Sequence, residues 1–509
     1  MVLYGLRISK NFTHDSSGRG FLSGGPERRF CAVIRGWIPC LFFAIALLAA
    51  QQSADDEIAA LAAKAKAAEQ AGDAAAAAQA YERILRLRPG LPQAEFNLGL
   101  MYQLQKRHID AIRLFTAALG HDSSLAPAHL FAGISYFNTA QYDKARASLE
   151  RFLKLHPSDP EVRFFLGGTY YALEDHAAAV RQYLGQLKLT PGRSEVYYHL
   201  GECYLALSRK AIKTLSDDPA GQYYLLLLSA EGHGERKDGV APEESIRRAI
   251  AIDPTRPEAH CLSKGSSGQS PPRGCPPAVP AAGQVLSLAD LERLTEEVLV
   301  AQAGAPSDPK TAWWSARSYL GLAQAALLRL DALAPGSHLI AHIRGRRLEE
   351  QGKLTEAEAE YRRAVTLNPR DPSPLIDYAR LKARNDLFDE AAPMLEEALQ
   401  IDPYNVTGNA LLGEIHHMQS RWKEAVPRLL TALRANPRDA QTRIYLALSL
   451  RELNRIGEAV AVLEKAPPDK DGRIHYVLSQ IYRSQGRTAD AARALAVFQQ
   501  RRKEGKPAP

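Results

Sequence analysis

Cysteine is scarce in this sequence, with Cys31, Cys40, Cys203, Cys261 and Cys275 as the five present in 509 residues. Five so scattered thiols exclude a disulfide framework, and no paired CxxC offers a structural zinc site. Neither a GxxxxGK[ST] phosphate loop nor an HExxH metal pair occurs. His416 and His417 are adjacent and so point to different sides of a helix, which is poor geometry for joint metal ligation and reads as exposed helix histidine. β-Branched residues are sparse and no stretch alternates apolar and polar residues, so sheets are not expected. The formal charge of +7 is modest for this length. It includes no basic stripe interleaved with aromatics of the kind a nucleic-acid binder presents. The chain is therefore expected to be non-enzymatic, without cofactor, metal or nucleic-acid partner.

What the sequence does contain is a period. Reading from Ala126, Gly133 falls at the eighth place, Tyr136 at the eleventh, Ala145 at the twentieth and Pro157 at the thirty-second. Thirty-four residues later the same places hold Gly167, Tyr170, Ala179 and Pro191. Small residues let two helices of a hairpin approach closely, while Pro ends the second helix and turns the chain into the next unit. Gly167 is expected to lie against the facing helix near Ala179. Units in this register begin at about 58, 92, 126, 160 and 194, and again at about 338, 372, 406, 440 and 472. The pattern resembles the tetratricopeptide (TPR) repeat. The resemblance implies an all-α, right-handed superhelix of about ten hairpins, and the punctuation divides it into two blocks, 58–256 and 309–500.

Three stretches depart from the register. Residues 1–36 are polar and Gly-rich, with Arg28, Arg29 and Arg35 ahead of an apolar run, Trp37 to Ala50. That order reads as a signal-peptide h-region or a membrane anchor at 37–50, hence as export to the cell envelope. From Ser194 a helix runs on without a break to the stop at Asp217-Asp218-Pro219, and a degenerate unit with Gly232, Gly234 and Gly239 in its turn follows from Tyr223 to Pro254. A shift of 115 residues lays Tyr204 on Tyr319 and Arg247-Arg248-Ala249 on Arg362-Arg363-Ala364, suggesting an internal duplication. The segment 257–308 reads as a linker whose part 264–284, rich in Pro and Gly, cannot bury enough apolar surface to order itself. Ser287 within it is a candidate N-cap. Residues 501–509 form a charged tail.

By the TPR resemblance, places 2, 5, 9, 12 and 13 of each first helix line a concave groove that takes extended peptides or partner helices. In the first block these places include Phe96, Leu130, Phe137, Phe164, Tyr171 and Tyr198; in the second, Arg346, Arg380, Arg384, Arg451, Arg473 and Arg483. The first surface is aromatic and the second basic, and both residue classes concentrate binding energy at interfaces. The expected partners are other proteins, with an acidic partner or polymer suited to the basic half. The Lys and Asn set with which one TPR subtype grips a terminal carboxylate is incomplete, because only Lys66 and Asn97 of it are present.

Overall fold

The computed structural model describes residues 34–231, 241–266, 285–467, 469 and 472–504, with side chains from residue 52 onward except at 264–266 and 504. The polar segment before residue 34, the glycine-rich turn at 232–240 and the Pro/Gly-rich segment from 267 to 284 lie outside the described residues. Among the described residues there are 24 helices and no strand. The chain rises through α1 (Ile34–Gln70) and α2 (Ala74–Leu87), α3 (Pro92–Leu104) and α4 (His108–His121), α5 (Ala126–Asn138) and α6 (Tyr142–Leu155), and α7 (Pro160–Ala172) and α8 (His176–Leu189) to a long α9 (Ser194–Ser216). Next come α10 (Gly221–Ala230), α11 (Pro242–Ile252), α12 (Pro257–Ser266), α13 (Leu288–Gly304) and a second long helix, α14 (Pro309–Leu333). Regular hairpins then resume with α15 (His338–Glu350) and α16 (Leu354–Leu367), α17 (Pro372–Arg384) and α18 (Phe388–Ile401), and α19 (Val406–Met418) and α20 (Trp422–Ala435). They close with α21 (Ala440–Glu452) and α22 (Ile456–Glu464), and α23 (Arg473–Ser484) and α24 (Thr488–Glu504).

Local chemistry sets each hairpin. Asp159, Asp371, Asp439 and Asn405 cap first helices by accepting backbone N–H groups, and Pro stands in the first turn of α3, α7 and α17, where its missing donor is harmless. Between the two helices of all nine uninterrupted units, place 15 is left-handed. Gly72, Lys106, Ala140, Glu174, Gly352, Asp386, Ser420, Asn454 and Gly486 have φ between +55° and +74°. The eighth place is closed by contact: a Cβ on Gly99, Gly133, Gly167, Gly345 or Gly413 would lie 2.6–2.7 Å from the side chain sixteen residues on. For Gly167 that neighbour is the Tyr183 ring, one turn beyond the expected Ala179.

Two polar devices tie several units to the one before. A side chain at place 4 donates to the carbonyl of the closing Pro: Arg163 to Pro157 at 2.9 Å, Asn409 to Pro403 at 3.0 Å and Arg443 to Pro437 at 2.6 Å. Tyr at place 11 donates to a Glu on the preceding second helix, Tyr102 to Glu82 at 2.6 Å and Tyr170 to Glu150. Both satisfy polar groups that stacking would otherwise leave buried and unpaired.

The fifth unit corrects the two-block expectation. Gly201, at place 8 of α9, faces Leu327 of α14, 126 residues on instead of sixteen. First helices begin at Ser194 and His338, 144 residues apart against the usual 34, so 110 residues are inserted and the register survives. The long helices are thus the two arms of one hairpin. The 115-residue shift superposed partners in a contact, and Tyr204 and Tyr319 stack with centroids 6.3 Å apart. Small residues allow this approach (Gly201, Ser208 and Ala211 against Ala312, Ala316 and Ala323), and one buried core runs from Ala179 through both arms to Ile340. The solenoid is continuous where a linker was expected.

The insertion leaves from the ends of these arms. α10 and α11 form a hairpin whose Tyr223, Tyr224 and Leu227 pack with Leu215, Trp313 and Ala316. α13, capped by Ser287 as expected, returns against α8 through Arg181–Glu296 at 3.3 Å and Lys188–Glu292. Its Thr295 bonds the hydroxyl of Tyr204, which has no Glu at the usual place. Cys203 is free and buried, whereas Cys261 is disulfide-bonded. At the ends of the chain, the apolar run continues into the first repeat on a single helix, α1, and the expected tail is helical as far as Glu504.

Candidate interaction groove

Side chains at the groove places divide into those that thicken the core and those that remain available. Phe96 and Leu130 are buried, and Phe96 lies 5.8 Å from both Phe115 and Phe131. Phe137 is half-buried, edge-on to Phe165 at 5.8 Å. Phe164 contacts Phe165 at 5.8 Å and His199 at 5.4 Å, with the Arg193 guanidinium 4.7 Å above it. Tyr171 is half-buried beside His176 at 5.0 Å. From Phe137 the rings continue without a gap through Phe165, Phe164, His199, Tyr198, His342 and Tyr361 to Tyr378, with neighbouring centroids 5.2–6.3 Å apart. This ladder crosses the interrupted unit and welds the two halves.

The second half is charge-balanced where a basic stripe was expected. Arg346 pairs with Glu202 at 2.7 Å and lies 3.9 Å from Asp377. Arg380 pairs with Asp377 at 2.9 Å, Arg384 with Glu349 at 2.8 Å and Arg451 with Glu452 at 2.6 Å. Arg473 donates to Gln441 at 3.1 Å, and Arg483 is exposed. The physical reason is that an array of stacked first helices places side chains of adjacent units within ion-pair reach. Each of the paired cations is therefore matched by an acid on its own helix or one unit back.

At the interrupted unit these groups form one network. Tyr198 Oη lies 3.2 Å from His342 Nδ1, and His342 Nε2 lies 2.8 Å from Asp377 Oδ2. Burial alone would raise the Asp377 carboxyl, but the His342 hydrogen bond and the charges of Arg380 and Arg346 hold it below its usual value. Burial alone would depress Arg346, but Glu202, Tyr198 and Asp377 hold it above its usual value. Glu202, His342 and Asp377 were not singled out from sequence. The signal existed, since Glu202 and Arg346 both stand at place 9 of consecutive first helices, but the inserted residues hide that they are consecutive.

Other readings settle locally. His416 is buried, which corrects the expectation of exposure, and His417 bonds Ser449 at 2.9 Å. Asn97 donates to Tyr81 at 3.1 Å and accepts from Gln93, so it is engaged within the fold. Among the described residues no group of three or more His, Cys, Asp or Glu is placed to hold a metal ion, and no helix is long and apolar enough to cross a membrane.

Comparison with family models agrees with this architecture. Models of the tetratricopeptide repeat match residues 62–127, 132–194 and 342–406, and a second such model matches 383–441. Among solved structures the chain is similar to MamA from Desulfovibrio magneticus RS-1, at 17% identity over 33% of this chain and 97% of that one, with a TM-score of 0.32. It is also similar to a thermophilic TPR protein in Thermus thermophilus, at 23% identity over 33% of this chain and 93% of that one, with a TM-score of 0.28. No curated protein matches the chain.

Proposed function

Because the chain is a tetratricopeptide-repeat protein, we propose that it is a non-enzymatic scaffold that holds segments of other proteins along its concave groove. The observation that carries this reading is the continuity of first helices across the interrupted unit. The Tyr198–His342 contact joins α9 to α15 as neighbours, so one uninterrupted face runs from α3 to α23. Such a face offers exposed apolar side chains at place 13, Leu104 at 61% and Met418 at 55% exposure, among self-neutralised charges. Because four of the six groove arginines, Arg346, Arg380, Arg384 and Arg451, already carry carboxylates, they give little support to the alternative of an accessory subunit that takes an acidic polymer there.

We place this scaffold in the cell envelope, exported or anchored through residues 37–50. The groove is tested by a photo-crosslinking residue at Leu104 or Met418, with Leu155 and Leu367 at the ends of second helices as controls. Irradiation in the native host is expected to give discrete protein adducts from the first pair and not from the second. Adducts from the controls alone would remove the groove as the binding face.

A further inference from the structure

The arm of α9 that carries the insertion holds the cations that the groove lacks. Successive residues on an α-helix turn by 100°, so Arg209 and Lys213 fall within about 20° of Glu202, and Lys210 flanks them. They therefore continue the groove face of α9, on which Tyr198 meets His342 and Glu202 meets Arg346. The opposite face is spent on packing, with Leu207, Ala211 and Leu215 buried against α14 and α10. Arg209, Lys210 and Lys213 are all exposed, and no carboxylate among the described residues pairs with them. This sets them apart from Arg346, Arg380, Arg384 and Arg451, each of which has an acid in contact. In the adjacent turn, Asp175 is engaged in capping α8 through the backbone N–H of Ala178 at 3.1 Å. The half-buried ring of Tyr171 stands at place 12 of the neighbouring α7, beside this arm.

We propose that the extended arm of α9 is a docking surface for an acidic protein segment, which enters the groove past Tyr171 and is held at its rim by Arg209, Lys210 and Lys213. The inference rests on the groove reading only for where the rest of the segment lies. Charge complementarity selects the partner, because no carboxylate among the described residues pairs with these cations and a carboxylate-bearing segment supplies one. Eleven residues of helix separate Glu202 from Lys213, a rise of about 16 Å, which an extended peptide matches with roughly five residues. A protein segment is preferred to a nucleic acid because the arm carries no exposed row of aromatic rings on which bases would stack.

The test uses the full chain and a fluorescein-labelled deca-glutamate peptide, with deca-lysine as the control, followed by fluorescence anisotropy. Deca-glutamate is expected to bind at about 50 mM salt and to weaken steeply as salt approaches about 300 mM. Deca-lysine is expected not to bind. The triple variant Arg209→Ser, Lys210→Ser, Lys213→Ser should bind deca-glutamate roughly tenfold more weakly or worse, with a flatter salt dependence. The variant Arg380→Ser, Arg384→Ser, Arg451→Ser should stay within about twofold of the parent, and circular dichroism should show both variants as helical as the parent. Parental affinity in the arm variant, or an equal loss in both variants, would overturn the proposal. An oligonucleotide or polyphosphate of equal charge that binds the arm as tightly as deca-glutamate would replace the protein segment with a general polyanion. The groove itself fails separately. Absence of adducts from Leu104 and Met418 with retained arm-dependent peptide binding would remove the groove reading and leave the rim.

Discussion

Place 15 of the repeat makes a prediction whose sign reverses at one position in the chain. In the uninterrupted units this residue is left-handed, and six of the nine are not glycine. A side chain there costs about 1–2 kcal/mol through the approach of Cβ to the following carbonyl. Glycine removes that cost but loses more conformational freedom on folding, an offset of about 0.5–1 kcal/mol. Lys106 and Asp386 have φ of 59° and 58° and are exposed, so replacing them discards no packing. Lys106→Gly and Asp386→Gly should therefore each stabilise their hairpin by roughly 0.5–1 kcal/mol. In the fifth unit the same place is Ser208, which is helical and buried inside α9. The Ser208 hydroxyl is buried without a hydrogen-bond partner, so the comparison is with alanine, which removes it too: Ser208→Gly should be less stable than Ser208→Ala by about 0.5–1 kcal/mol, the entropy that glycine loses in a helix interior. Because a solenoid need not unfold in one step, the readout is amide hydrogen exchange of the flanking helices together with urea unfolding. Ser208→Gly as stable as Ser208→Ala or more so, or destabilisation by the other two, would show that the turns do not lie at place 15.

Three further outcomes follow from the packing. Gly167→Leu should cost roughly 1–3 kcal/mol, because even a Cβ there would sit 2.7 Å from the Tyr183 ring; unchanged melting would mean that the hairpin contact lies elsewhere. Tyr204→Phe removes the hydroxyl that bonds Thr295, and the loss of about 0.5–1.5 kcal/mol should appear as faster exchange in α13 while the terminal hairpins keep their protection. Burial depresses the imidazoles of His108, His129, His176, His199, His416 and His417, so the unfolded chain binds more protons than the folded one just below pH 6.5. Stability should be complete above that pH and fall as pH drops from about 6.5 toward 5, and a melting temperature flat over that window would contradict the burial.

The regular hairpins were legible because their signals are local. Gly133 and Gly167 mark the eighth place, Pro157 and Pro191 close units, and an unbroken stretch after Ser194 reads as a long helix, which α9 is. The charge balance of the second half was not legible, because the net charge of an arginine-rich surface depends on neighbours that stacking supplies. Arg380 and Arg384 look free until Asp377 and Glu349 are brought beside them. The fifth unit was harder still. Its second helix lies beyond 92 residues that separate Ser216 from Pro309, and sequence alone cannot distinguish two similar long helices in copied units from two that pack on each other. The buried Tyr198–His342 contact, 144 residues apart in the chain, has no local signature at all.

That interrupted unit gives the molecule an uneven mechanical profile. Pulled from its ends, a solenoid peels one hairpin at a time, and each uninterrupted unit lengthens the chain by about 34 residues, or roughly 115 Å of extended backbone. The fifth unit spans 144 residues between successive first helices, so its full release, with the disulfide at Cys261 reduced, would pay out roughly 490 Å. Until α9 and α14 separate, the 92 residues between Ser216 and Pro309 stand off the line of tension and bear no load. The tightest stretch of the solenoid therefore also acts as a clasp on its longest store of slack. A pull along the chain would meet short even steps up to that point and one long run after it.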